Sequence, residues 1–574
     1  MADVQLARQI TEQVSRLRQR QTAPLILELD LTDGIGEGPV TDPLSAIMSR
    51  RKIRLPDIIE GLRRARQDDR VRALVVKVGG GRIGLARMQE IREAVAAFRE
   101  WGKLTVAWSE TFGEFTGGNV PYYLATAFDR IYLQPSGALG LTGVAIEQLF
   151  LHDALAKIGV AFQSAKRYEY KSAADNLTER GFTGPAREAA ERMAASVAEQ
   201  ITAAIAERRG RTLADARALL DRGPFLAADA LAEGLVDTLG YRDEVYADVR
   251  KEAGADAILQ YVSRYQRARA LAQRARRLPN PRDRFVAVIY ASGPIRQGRS
   301  SRSPLGGGAM GSDTVSAALR SATSDERVRA VVLRVNSPGG SAVASDTIWR
   351  EVVRTRAAGK PVVVSMSDVA ASGGYYISMA ADVIVAQPGT LTGSIGVIMG
   401  KPVLEEAFGR VGITTDSVSV GRGATMFAPT HPFSDDEWER INVWLDAIYR
   451  DFTSKVASGR RMTVEQVDEI ARGRVWTGAD AAQNGLVDEL GGMAAAAGMA
   501  RRRAGLPVDA PLRVYPRLTP LDQLRPPESS ESRPVADRLD LGFADAWGPA
   551  WRFAAQAGLS PYGPLMLPGR WIIN

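Results

Sequence analysis

Unbroken apolar runs, not alternating ones, mark the strands of this chain. Residues 71–78 (VRALVVKV) and 328–335 (VRAVVLRV) are apolar at most positions, as strands buried on both faces of a parallel sheet require. Residues 25–31 and 285–291 read as opening strands, and 104–108 and 361–365 as later ones. Between them, 86–99 and 343–357 repeat apolar positions at helical spacing. Strands alternating with helices across short connections predict an α/β fold with parallel sheets and right-handed crossovers. Residues 184–222 and 433–472 read as long amphipathic helical segments, and 248–283, rich in arginine, as a helical linker. From about Val514 the chain turns rich in proline and serine, which reads as a flexible extension over 506–574. Its last stretch, 565–573, is apolar enough to dock.

The pattern occurs twice. Asp69-Arg70-Val71-Arg72-Ala73 returns as Glu326-Arg327-Val328-Arg329-Ala330, an offset of 257, and Gly102-Lys103 returns as Gly359-Lys360. Asp129-Arg130-Ile131 through Gln134-Pro135 matches Asp382-Val383-Ile384 through Gln387-Pro388, and Gly234-Leu235-Val236-Asp237 matches Gly485-Leu486-Val487-Asp488. Landmarks kept in one order at a slowly drifting offset point to two tandem domains. We place them at 23–247 and 284–505, joined by the linker and preceded by a basic amphipathic helix within 1–22, where Leu6, Ile10, Val14 and Leu17 share helical spacing.

Composition narrows the chemistry. The 574 residues contain no cysteine, which excludes disulfides, thiolate metal sites and a cysteine nucleophile. With only His152 and His431 present, a histidine-rich metal site is excluded, and any Ser-His-Asp triad must use one of the two. The net charge of +8 is spread too thinly for a nucleic-acid footprint. No secretory apolar segment or stretch of 18 uncharged apolar residues occurs, so no signal peptide or transmembrane helix is expected. Peripheral membrane contact through the 1–22 helix is one use of that segment.

Features kept in both halves mark architecture; features of one half are candidates for function. After its buried strand the second half carries Asn336-Ser337-Pro338-Gly339-Gly340-Ser341, where the first has Gly79-Gly80-Gly81. Glycines there let backbone N–H groups face a ligand. Next comes Ala370-Ala371-Ser372-Gly373-Gly374-Tyr375-Tyr376, small residues and glycines around a serine between strand and helix. By itself this is an ordinary helix start; with the upstream Pro-Gly-Gly it becomes an exposed hydroxyl beside the N–H of Gly373. The first half offers Thr116 at that position. Conversely, Tyr170-Lys171-Ser172-Ala173-Ala174 in the first half aligns at offset 253 with a stretch in which Ala424 replaces the lysine.

These motifs resemble the signal peptide peptidase (protease IV) family in its long, two-domain form, over about residues 25–505. The resemblance implies two tandem Clp/crotonase-like repeats with parallel β-sheets flanked by helices. It implies Ser372 as nucleophile, Lys171 as general base and the N–H groups of Gly340 and Gly373 as an oxyanion hole. The activity implied is endopeptidase cleavage of short apolar peptides such as released signal peptides, with no metal or cofactor, in a homo-oligomer, by family resemblance a tetramer. Long-form members often start with a membrane-spanning helix; the expectation here is a cytoplasmic or peripherally membrane-associated enzyme. A lysine base must be largely neutral, which burial achieves by disfavouring the ammonium; Ser172 is a candidate to orient it. Ile395, Val397, Ile398 and Met399 are apolar candidates for a substrate groove. Three readings stay open beside this one: a Clp-like Ser-His peptidase using His431, a crotonase-like acyl-CoA enzyme, and a non-catalytic oligomeric scaffold.

Overall fold

The computed structural model describes residues 22–38, 53–80, 83–114, 116–276, 283–302, 308–515, 538–539 and 565–566. The helix read over 1–22 and most of the 506–574 extension lie outside them. The chain is mixed α/β, with parallel sheets flanked by helices. It packs as two compact units: one from the described residues up to Val144 and from Ala198 to Arg276, the other from Ala145–Val197 and the described residues beyond Arg282.

In the first unit the apolar runs become a six-stranded, all-parallel sheet. Its order is Thr238–Leu239, Arg130–Leu133, Leu104–Ser109, Val71–Lys77, Leu25–Asp30 and Ile258–Tyr261. The last strand falls inside the stretch read as a helical linker. Four residues between two helical patterns, Arg242–Ala253 and Val262–Arg276, are too few to announce a strand. They form one by pairing with Leu25–Glu28.

The second unit is built on a larger sheet, with Val328–Ser337 between Phe285–Ser292 and Val362–Ala371, all parallel. Alternate side chains serve opposite faces. Val331, Leu333 and Val335 pack with Leu319, Ile348 and Phe452 from three helices, while Ala330 and Val332 pack with Ala496 and Ala500 from the helix Met493–Arg503. Fully burying each valine or leucine contributes about 1.5–3 kcal/mol, which explains why both faces carry aliphatic residues.

The strand predicted at 361–365 continues to Ala371. Ser367 and Asp368 break the apolar pattern, but the serine hydroxyls of the strand are satisfied internally: buried Arg334 donates to Ser365 Oγ (2.8 Å) and Ser367 Oγ (3.1 Å). This long strand forks. Val363–Ser365 pair with Val383–Val385, and Val369–Ala371 pair with Leu391–Gly393. The fork delivers the strand end, and Ser372 after it, beside Gly393.

Two smaller pairings complete the frame. Ala161–Arg167 runs antiparallel to Val397–Val403 over seven residue pairs, with Arg167 opposite Val397. The loop after Arg167 is thereby brought to residues 394–397. A separate small sheet runs Arg538–Leu539, Ser301–Arg302, Gly308–Gly311, Ile295–Arg296, Gly339–Gly340 and Leu565–Met566. Among the described residues no helix is long and apolar enough to cross a membrane.

Candidate active site

Ser372 stands where the strand Val362–Ala371 turns sharply into the short helix Gly373–Tyr376, with φ 55° and ψ −114°. A non-glycine residue in such a conformation costs on the order of 1–3 kcal/mol and persists only when its surroundings enforce it. They do so here. The Ser372 N–H donates to Gly393 O (2.8 Å), and Ser372 O accepts from the Tyr376 N–H (2.9 Å). Tyr375 Oη donates to Leu486 O (3.0 Å) and Tyr376 Oη to Asp451 Oδ2 (2.5 Å), fixing the helix behind the turn. The small residues of the motif are a steric requirement. A β-carbon on Gly374 would lie 2.6 Å from Ser337 O, and one on Gly373 would lie 3.1 Å from the Gly340 nitrogen.

Lys171 is fully buried, and its side-chain nitrogen Nζ has three neighbours: Ser372 Oγ at 2.8 Å, Ser394 O at 3.0 Å and Ser394 Oγ at 3.0 Å. All three are neutral oxygens. Burial without a compensating carboxylate holds the Lys171 pKa well below the ordinary lysine value. The loop that carries it is pinned on both sides. Arg167 donates to Asp446 Oδ1 (2.5 Å), Glu169 accepts from Arg472 (2.8 Å), and Tyr170 Oη donates to Glu188 Oε2 (2.7 Å). Gly473, at φ +91°, lies so close that a β-carbon there would meet Lys171 Cβ at 2.5 Å. Ala173 and Ala174 pack with Ile398 and Phe162 on the apolar side of the loop.

The residues singled out from the sequence therefore converge in part. Lys171 and Ser372 meet, with Ser372 buried and not exposed as its motif suggested, and Gly340 and Gly373 lie side by side next to the serine. Ser172 is buried beside Lys171, but its N–H bonds Tyr170 O (2.9 Å) and its hydroxyl makes no hydrogen bond to the amine. The hydroxyl that does so belongs to Ser394, which sequence reasoning missed. Its one signal was position, next to Gly393, whose counterpart in the first half at offset 253 is Gly140. Neither histidine reaches Ser372: His431 Nδ1 lies 3.4 Å from Thr430 Oγ1, and His152 Nδ1 lies 2.8 Å from Asp153 Oδ1. The positions corresponding to the pair in the opposite halves, Thr116 and Ala424, are exposed.

The two halves that repeat in sequence also match one family twice. The profile of peptidase family S49 covers residues 99–256 and again 354–507. Protease 4 of Salmonella typhi is 33% identical over 492 residues, 82% of this chain and 77% of its own length. The chloroplastic serine protease SPPA of Arabidopsis thaliana is 30% identical over 475 residues, 82% of this chain and 69% of its own. Protease 4 of Haemophilus influenzae is 32% identical over 457 residues, 77% and 71% respectively. A double profile match over more than half the sequence, with relatives aligned across most of both chains, makes this protein a member of peptidase family S49.

Proposed function

We propose that this serine peptidase works through a Ser372–Lys171 dyad, with the N–H groups of Gly340 and Gly373 as its oxyanion hole. The observation that carries the reading is the 2.8 Å separation of Lys171 Nζ and Ser372 Oγ inside a fully buried site. A neutral amine has two N–H groups and one lone pair. The two N–H groups suit Ser394 O and Ser394 Oγ, both at 3.0 Å, which leaves the lone pair for the Ser372 hydroxyl.

In the acylation step Ser372 Oγ attacks the scissile carbonyl carbon while its proton passes to Lys171 Nζ. The carbonyl oxygen becomes an oxyanion, stabilised by the two glycine N–H groups. The Lys171 ammonium then gives its proton to the departing amide nitrogen, the C–N bond breaks, and an acyl-Ser372 ester remains. Water deprotonated by Lys171 releases the acid in the same sequence. Proton transfer of this kind is worth about 10²–10⁴-fold in rate.

The substrate class we assign is short apolar peptides, including released signal peptides. Family resemblance suggests it, and the apolar cluster containing Ile395 and Val397 near the dyad suits it. The same resemblance carries the proposal of a tetrameric homo-oligomer.

The test is hydrolysis of an internally quenched apolar peptide. Ser372→Ala and Lys171→Ala should each lose about 10⁴-fold or more in kcat/KM while keeping the wild-type circular dichroism spectrum. Ser372 should be the residue labelled by a fluorophosphonate. Retained turnover in Lys171→Ala, with loss in His431→Ala, would transfer the base to the histidine. Turnover in Ser372→Ala would end the reading altogether.

A further inference from the structure

The strand edge beside the proposed oxyanion glycines is occupied by the chain itself. Leu565–Met566 pairs antiparallel with Gly339–Gly340, Met566 opposite Gly339 and Leu565 opposite Gly340. The approach is close: a β-carbon on Gly339 would collide with the Leu565 carbonyl oxygen and would lie 2.8 Å from the Gly373 nitrogen. The Leu565 carbonyl thus lies in the neighbourhood of the N–H groups assigned to the oxyanion. The Leu565 side chain is completely buried, in the same apolar cluster as Ile295, Ile395 and Val397. Met566 is only partly buried.

An extended peptide gains its affinity at a sheet edge from main-chain hydrogen bonds and its selectivity from pockets for alternate side chains. Leu565–Met566 has both attributes: a backbone ladder to Gly339–Gly340 and one apolar side chain fully enclosed. A peptide substrate that presents its carbonyl to Gly340 and Gly373 would need the same edge. Only glycines at 339 and 340, with φ +106° and +150°, let another backbone come this near.

From this we infer that Leu565–Met566 is a tethered occupant of the substrate strand site, with Leu565 in the pocket that takes the apolar side chain of the substrate, so that this segment competes with peptides for the dyad. The inference rests on the dyad reading above. It makes the enzyme self-restrained, with an apolar peptide in high local concentration having to displace the segment before cleavage. A tethered competitor raises the apparent KM without altering the chemical step.

Two variants test it in the otherwise full chain: Leu565→Asp, which places a charge in the apolar pocket, and deletion of residues 562–574. Each should lower KM for the quenched apolar peptide at least about threefold, with kcat within about twofold of wild type, and should speed fluorophosphonate labelling of Ser372 by a similar factor. A synthetic peptide spanning residues 561–569 should inhibit the deletion variant competitively. A second measurement covers failure of either variant to fold. In full-length Ser372→Ala, saturating apolar peptide should raise amide hydrogen exchange around residues 564–567. Unchanged KM and labelling in folded variants, a fall in kcat without a fall in KM, or unchanged exchange on peptide binding would each overturn the inference. Failure of the dyad reading appears separately, as turnover that survives in Ser372→Ala.

Discussion

Ser394 holds Lys171 through two of its own atoms, the carbonyl oxygen and Oγ, each 3.0 Å from Nζ. Ser394 has φ 49°, and its N–H donates to Arg474 O (2.7 Å), so backbone and side chain converge on one amine. Removing the hydroxyl leaves the carbonyl contact and takes away one of the three directions that aim Nζ at Ser372. Losing such a bond in a buried site costs about 1–3 kcal/mol, or roughly 5- to 150-fold in kcat/KM. Ser394→Ala should fall in that range. A hydroxyl that accepts from the amine favours its charged form, so the acidic limb of the kcat/KM profile should also move to lower pH. A loss of rate with an unmoved limb would assign Ser394 a purely structural part.

On the proposed mechanism the buried amine also sets the pH response of the wild-type enzyme. A base must be unprotonated, so kcat/KM should rise with pH through the depressed Lys171 pKa and level off well below the ordinary lysine value. Stability carries the same signature. Between the depressed folded value and the ordinary unfolded one, the unfolded chain binds the proton that the folded chain has lost. Stability therefore increases with pH across that window and is insensitive to this group below it. Lys171→Met lacks the term. The difference in melting temperature between wild type and Lys171→Met should shift in favour of wild type as pH is raised from 7 toward 10. A constant difference would mean that the amine stays charged in the folded protein.

Gly473 shows how closely the root of the Lys171 side chain is packed. Its backbone lies against Lys171, where a β-carbon would approach Lys171 Cα at 2.6 Å, and its φ of +91° is one that side chains rarely adopt. Gly473→Ala therefore meets both a backbone penalty of on the order of 1–3 kcal/mol and a collision that moves the lysine. Activity should drop at least about 100-fold, a larger change than the stability loss alone would give, because small displacements of a reacting group are costly. Near-wild-type kcat/KM in this variant would show that the site tolerates a shifted lysine.

Much of this arrangement was legible from residue types. The valine runs announced the central strands because parallel strands buried on both faces have no polar side to alternate. Ser372 and Lys171 stood out because each lies in a motif that the other half lacks. The end of the strand at Ala371 was hidden by Ser367 and Asp368, since polar residues in a strand look like a loop until Arg334 is known to bond Ser367 from the neighbouring strand. Ser394 was hidden for a related reason. Its contact with Lys171 spans 223 residues of sequence and exists only because Ala161–Arg167 pairs with Val397–Val403. Pairing between distant segments leaves no periodic trace. The Ile258–Tyr261 strand was lost in the same way.

Ser337 supports the other side of the site, and its removal tests whether the Gly339–Gly340 turn is built for chemistry. Its hydroxyl donates to Gly293 O (2.7 Å) and accepts from the Gly339 N–H (3.2 Å), and the residue is fully buried. Ser337→Ala leaves that N–H and the Gly293 carbonyl short of a partner in the interior, at about 1–3 kcal/mol each. On the order of 2–4 °C in melting temperature per kcal/mol applies to domains of 150–250 residues, so a drop of several degrees is expected. If the turn also presents the Gly340 N–H to a developing oxyanion, kcat should fall more than KM changes, because that interaction strengthens only in the transition state. A melting-temperature loss with unaltered kcat would confine Ser337 to folding and would weaken the case for Gly340 as an oxyanion donor.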